Sequence, residues 1–194
     1  MLRFTDHYDV MISKANQILG LVKRMSKDFD ELHCMILLYV SYVRSLLEYG
    51  SIVWAPYYDI HIDRLEAIQR KFLRYLQYRM SQRGLRLDLD RVASYFQLHS
   101  LQDRRDYLDL CFFFKIVNGI IISPELLSSI KFHIPPRNTR GNTLLCYVNF
   151  RTRYCQNMPY NRLVSLVNEQ SNLNFFNMSL PSFKRQLKDK ILKF

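Results

Sequence analysis

From Leu32 to Leu47 apolar side chains occupy nearly every helical position: Leu32, Met35, Ile36, Leu37, Leu38, Tyr39, Val40, Val43, Leu46 and Leu47. A helix over about Asp30 to Tyr49 therefore lacks a polar face, and such a helix is ordinarily the central one of a bundle. A membrane span is the competing solution, but it needs about 18–20 consecutive apolar residues. The longest apolar stretch, Cys34–Val40, has seven, and Arg44 interrupts the apolar residues beyond it. We expect a core helix, with Gly50 as its C-terminal stop, and no membrane partner.

Two amphipathic segments flank it. The first runs from about Asp9 to Lys27, with an apolar stripe at Met11, Ala15, Ile18, Val22 and Met25. That spacing is helical. Thr5 and Asp6 are its candidate caps. Lys14, Lys23, Arg24 and Lys27 lie off the stripe or at its edge, and the cluster near the end suits the helix dipole. The other segment, about Ile62 to Met80, buries Leu65, Ile68, Phe72, Tyr75 and Leu76 and leaves Arg64, Arg70, Lys71 and Arg74 on the opposite arc. The connector between, Ser51–Ile60, holds Trp54, Tyr57 and Tyr58, which we keep as candidates for stacking on bases. The other aromatics fall on apolar stripes and read as core.

Beyond Gly84 the pattern predicts a short helix near Asp90–Phe96 and a stronger one over Leu101–Val117. Ser100-x-x-Asp103 starts the latter as a capping-box variant, and Asn118-Gly119 stops it. Ile121–Tyr160 carries four of the six prolines and the run Asn138-Thr139-Arg140-Gly141, so it reads as loop-dominated, with a short helix near Pro124–Ile130 and an extended piece at Leu144–Val148. Terminal helices come next, at about Tyr160–Glu169 and Pro181–Leu192. Glycine and proline total only 11 of 194 residues, which argues against a turn-rich β-sandwich. The expected fold is all-α: a three-helix bundle in residues 1–85, then a helical extension in 86–194 with a loop-rich 120–160.

Charge is unevenly spread. Residues 1–60 hold 6 basic and 7 acidic side chains, residues 61–115 hold 11 and 7, and residues 116–194 hold 11 and 3. Between Ala67 and Leu87 lie Arg70, Lys71, Arg74, Arg79, Arg83 and Arg86 and no acid. An overall charge of +11 with such a stretch points to a polyanionic partner. Lysines and arginines at helical spacing meet successive phosphates, which gives affinity without sequence readout.

Catalytic patterns are missing. There is no phosphate-cradling glycine loop and no G-x-S-x-G elbow. The acids are scattered over helical faces, whereas two-metal chemistry needs carboxylates converging on ions about 4 Å apart. The five histidines stand 26 or more residues apart, and the four cysteines show no C-x-x-C, so no metal site is expected. His33-Cys34 is a dyad on paper, but Cys34 opens the apolar helix and reads as a packed thiol. Four cysteines and no apolar leader give reduced thiols and an intracellular compartment. No cofactor and no small-molecule substrate is expected.

Several segments, taken in order, resemble one family. Lys14-Ala15-Asn16-Gln17-Ile18-Leu19-Gly20 with Lys23-Arg24 is similar to the start of the thumb in jockey-like (insect-type) non-LTR retrotransposon reverse transcriptases. Leu38-Tyr39, Val43-Arg44-Ser45-Leu46-Leu47-Glu48-Tyr49-Gly50-Ser51 and Trp54-Ala55-Pro56 resemble the next segment. Ile62-Asp63-Arg64-Leu65-Glu66-Ala67-Ile68-Gln69-Arg70-Lys71-Phe72-Leu73-Arg74 resembles the helix after it, and Asn138-Thr139-Arg140-Gly141 and Ser182-Phe183-Lys184 resemble its tail. The resemblance spans essentially the whole chain. It implies the thumb and C-terminal extension of an RNA-directed DNA polymerase, with RNA or an RNA–DNA duplex and the polymerase palm of the parent protein as partners. It also admits the nucleus as a location. The palm carries that family's metal-binding aspartates, and this sequence has no Tyr/Phe-x-Asp-Asp turn. The chain alone is expected to be inert as a polymerase, a fragment or degenerate copy that grips template and primer through Lys14, Lys23, Arg24, Lys27, Arg64, Arg70, Lys71 and Arg74. The alternative is a helical protein-interaction module that binds no nucleic acid.

Overall fold

The computed structural model describes residues 4–28, 31–134, 143–170 and 172–192. Asp30, at the expected start of the second helix, and the run Asn138–Gly141 lie outside them. The fold is all-α. Among the described residues the only pairing of extended chain is an isolated bridge between Phe132 and Leu145. Among the described residues no helix is long and apolar enough to cross a membrane.

The chain divides into two compact units, residues 1–104 and 105–193. Packing thus carries the first unit past residue 85, because Val92, Leu98 and Leu101 join its core. Its helices are α1 (Thr5–Met25), a bent rod of α2 (Leu32–Leu38), a π-helical turn (Tyr39–Arg44) and α3 (Ser45–Glu48), then α4 (Ser51–Trp54), α5 (Asp59–Ser81) and α6 (Leu89–Tyr95). α7 (Leu101–Val117) begins here and continues into the second unit.

α1 and α5 run parallel. Asp9 meets Arg64, Asn16 meets Lys71, Lys23 meets Tyr75 and Ser26 meets Arg79, always 52–55 positions apart. The rod brings the chain back between them. Tyr8, Met11, Ala15, Leu19 and Val22 of α1 are buried against Leu65, Ile68, Phe72, Leu76 and Met80 of α5 and against Met35, Tyr39, Val43 and Leu47 of the rod. The α1 start differs from expectation: its N-cap is Phe4, with no side-chain hydrogen bond from Thr5 or Asp6, although Asp6 in the first turn favours the dipole.

The rod also departs from the pattern its sequence predicts. Its fully buried residues form one line at four-residue spacing, Met35, Tyr39, Val43 and Leu47, whereas Leu37 is 65% and Tyr42 60% exposed. Cys34 is exposed as well, so it is not a packed thiol. Two neighbouring helices cover only part of a rod's circumference, and the apolar residues beyond that arc face solvent. Gly50 ends the rod with φ +66°, the left-handed conformation expected of a stop.

A buried polar chain ties this unit together. The Tyr39 hydroxyl donates to Gln69 Oε1 at 3.0 Å, and Gln69 Nε2 donates to the His99 carbonyl at 2.8 Å. Tyr39 stacks on Phe72 with ring centroids 4.1 Å apart. At the rod's C-terminal end Glu48 accepts from Arg104, Nη2 to Oε2 being 2.9 Å, and lies 3.5 Å from Arg44.

The second unit contains the rest of α7, α8 (Pro124–Ser129), α9 (Arg153–Gln156), α10 (Pro159–Glu169) and α11 (Leu180–Ile191). Its core joins Leu110, Phe113 and Phe114 to Val164, Val167, Phe183 and Leu187. Phe114 stacks on Phe183 at 4.2 Å. The Asn168 side chain accepts from Leu145 N at 2.9 Å and donates to Leu145 O at 3.0 Å, which anchors the Phe132–Leu145 bridge to α10. Ser100 Oγ accepts from Asp103 N at 3.0 Å, as the capping pattern requires.

Candidate nucleic-acid interface

Because α1 and α5 are parallel, their C-terminal ends come together. Each end carries roughly half a negative charge from the helix dipole, and each last turn is basic: Lys23 and Arg24 on α1, Arg79 on α5. Between the ends lies an open cleft of about 370 Å³. Lys23, Arg24 and Lys27 line it from one side, and Tyr75, Tyr78, Arg79 and Gln82 from the other. Four full positive charges outweigh two half-charges, and no carboxylate of the described residues lines the cleft. The balance is a concave cationic surface.

Its parts are held in place. Arg79 Nη1 donates to the carbonyls of Ser26 at 3.1 Å and Lys27 at 3.0 Å, which caps the end of α1. Lys23 Nζ donates to the Lys71 carbonyl at 3.1 Å and lies 5.5 Å from the centre of the Tyr75 ring. Burial, and then repulsion from Lys71, hold the Lys23 ammonium below its ordinary pKa. Gln82 Nε2 donates to the Tyr78 hydroxyl at 2.8 Å, leaving that ring 58% exposed.

The residues named from the sequence divide into three groups. Lys23, Arg24 and Lys27 gather in the cleft. Arg70, Lys71 and Arg74 are exposed on α5 beside it. Lys71 Nζ donates to Asn16 Oδ1 at 2.8 Å, a neutral partner. Arg70 Nη2 donates to the Asp63 carbonyl at 3.1 Å and lies 4.0 Å from that carboxylate. Arg74 has neither hydrogen bond nor ion pair to any described residue. Arg64 belongs to neither cluster: it is paired with Asp9 at 2.5 Å, roughly 22 Å along α5 from Arg79 at 1.5 Å per residue. Lys14 is exposed on α1.

Tyr78 and Gln82 are site residues that sequence reasoning does not single out, and Arg79 is read there only as a member of the acid-free basic stretch. The signal is there in the two basic last turns, but it becomes legible only once the helices are known to run parallel. Among the aromatic candidates, Trp54 is buried, with its Nε1 donating to the Tyr49 carbonyl at 2.8 Å. Its ring packs 5.5 Å from His7 and 6.0 Å from Tyr8, so it is a packing residue, not a stacking platform. Tyr58 is 48% exposed and tilts against Tyr57 at 4.2 Å.

Among the described residues no group of three or more His, Cys, Asp or Glu side chains is placed to hold a metal ion. In the second unit, Asp109 is buried with Arg162 Nε donating to its Oδ2 at 2.9 Å. Burial raises the Asp109 pKa against the pull of Arg162, a structural pair inside the core. No protein family's profile matches this chain, and neither a curated protein nor a solved structure does.

Proposed function

We propose that the first unit is a non-catalytic grip for an RNA–DNA duplex, of the kind the thumb and C-terminal region of a retrotransposon RNA-directed DNA polymerase would supply. The observation that carries it is the cationic surface on α5: Arg70, Lys71 and Arg74 stand exposed in a stretch without acids from Ala67 to Leu87. Arg70 and Arg74 are one helical turn apart, about 6 Å along the axis, close to the axial span of two nucleotides of one strand. Phosphates are the groups such a surface meets, and sequence is not read by it. The reading assigns this chain no catalytic step.

Binding of a labelled RNA–DNA hybrid, followed by fluorescence anisotropy across a salt series, tests it. The triple variant Arg70→Glu, Lys71→Glu, Arg74→Glu should bind several-fold more weakly with an unchanged helical circular-dichroism spectrum. Unchanged affinity in the folded variant would show that the grip lies elsewhere.

A second reading, a protein-interaction module, is supported by the exposed Leu37 and Tyr42 on the rod. Sedimentation of the chain at rising concentration separates the two. A monomer at all concentrations, with hybrid binding intact, counts against the second reading.

A further inference from the structure

The α5 arc is convex, but the cleft beside it is concave and of different composition. Its volume of about 370 Å³ lies near the lower end of small-ligand clefts, roughly 300–1,000 Å³. That is room for one nucleotide and not for a duplex. One wall is cationic and the other offers the exposed ring of Tyr78, held by Gln82. Lys23 spends one of its three ammonium donors on the Lys71 carbonyl. Arg24 and Lys27 are exposed and make no side-chain hydrogen bond or ion pair with described residues. A site that pairs unspent cations with an aromatic face fits a ligand that pairs an anion with a planar ring.

We infer that the cleft between the ends of α1 and α5 binds a single unpaired nucleotide, its phosphate on Lys23, Arg24 and Lys27 and its base against the Tyr78 ring. The inference rests on the reading of the first unit as a nucleic-acid grip and adds what that grip selects: a duplex carrying a single-stranded extension over a blunt one. Stacking is tolerant of base identity, so no sequence preference accompanies it.

The test compares three labelled probes on the full chain: a blunt RNA–DNA hybrid, the same hybrid with an unpaired DNA tail, and the free tail strand. The tailed hybrid should bind about fivefold or more tightly than the blunt one, as loss of a single stacked base predicts. Tyr78→Ala should erase that preference, and Tyr78→Phe should keep it. Arg24→Gln with Lys27→Gln should weaken the free strand more than the blunt hybrid. Tyr78 is on the surface, and circular dichroism establishes that its variants fold. If the blunt hybrid binds but the tail adds nothing, or Tyr78→Ala leaves the preference intact, the cleft assignment is overturned while the duplex grip stands. If only the free strand binds, and does so through Tyr78, the grip is overturned and the cleft stands. If no probe binds, both fall.

Discussion

Arg79, in the last turns of α5, closes the end of α1 by donating to the carbonyl oxygens of Ser26 at 3.1 Å and Lys27 at 3.0 Å. A helix leaves its last four carbonyls without partners, and here a neighbouring helix supplies the donor. The same guanidinium is part of the cationic cleft, so its structural and electrostatic roles can be pulled apart. Arg79→Lys keeps the charge but replaces the fixed, planar Nη1 that meets both carbonyls with a shorter, freely rotating ammonium. We expect a loss of about 1 kcal/mol in urea unfolding, in line with one or two modest hydrogen bonds, and little change in the salt dependence of hybrid binding. Arg79→Gln should reproduce the stability loss and also flatten the salt dependence of binding to a hybrid that carries an unpaired tail.

The three arc cations differ in how much local structure they support. Arg74 has no partner among the described residues, Lys71 holds Asn16, and Arg70 touches Asp63. If all three contact phosphates, replacing them with Gln should lower the slope of log affinity against log salt by about 2–3, at 0.7–0.9 per phosphate contact. Individually, Arg74→Gln should lower affinity with no measurable stability change. Lys71→Gln should lower both slightly, because the Asn16 contact goes with it. An unchanged salt slope in the triple Gln variant would rule out direct phosphate contact by these side chains.

How far a feature is legible in the sequence depends on the range of the forces that set it. The bounds of α7 are readable because Ser100 and Asn118-Gly119 act locally: the Ser100 hydroxyl accepts from Asp103 N at 3.0 Å, and Gly119 takes φ +68°. The basic arc of α5 is readable because helical period alone puts Arg70 and Arg74 on one face. The rod is not. Its count of apolar residues implies burial all round, yet Leu37 and Tyr42 face solvent, because the number of neighbours a helix has is a tertiary fact. Nor is the π-helical turn at Tyr39–Arg44, a local departure with no sequence signature of its own. The cleft is hidden for the same reason as the rod's exposed face. Arg79 and Tyr78 join Lys23 and Lys27 only because α1 and α5 run parallel, a relation set by residues more than 50 positions apart.

Gly50 offers a clean test of backbone strain. It holds φ +66° at the end of the rod, and a Cβ there would meet the Trp54 ring at an ordinary 3.6 Å. The space is adequate, so the cost of Gly50→Ala is conformational, about 1–2 kcal/mol. Gly50→Asn should cost less, since Asn tolerates the left-handed region. Urea midpoints of the two variants check the order, and a larger loss for Asn than for Ala would mean that side-chain packing and not φ sets the constraint.

Tyr39 joins hydrogen bonding to burial, and the two can be separated by pH. Its hydroxyl donates to Gln69 at 3.0 Å inside the core. Burial, the dominant influence, pushes its pKa far above the ordinary 10.0 because the phenolate would be stranded there. The folded state therefore holds this proton where the unfolded chain has begun to lose it. A folded pKa above the unfolded one contributes stability that is complete below pH 10 and is lost as pH rises through 10 and beyond. Tyr39→Phe deletes that titration and also strands Gln69 Oε1, at a cost of about 1–3 kcal/mol near neutral pH. Urea unfolding of both proteins at pH 7, 9.5 and 11 should show the wild type ahead at pH 7 and 9.5 and the gap narrowing at pH 11. A constant gap across the series would mean that Tyr39 ionises as readily in the folded protein as in the unfolded chain, and that the hydroxyl matters only as a donor to Gln69.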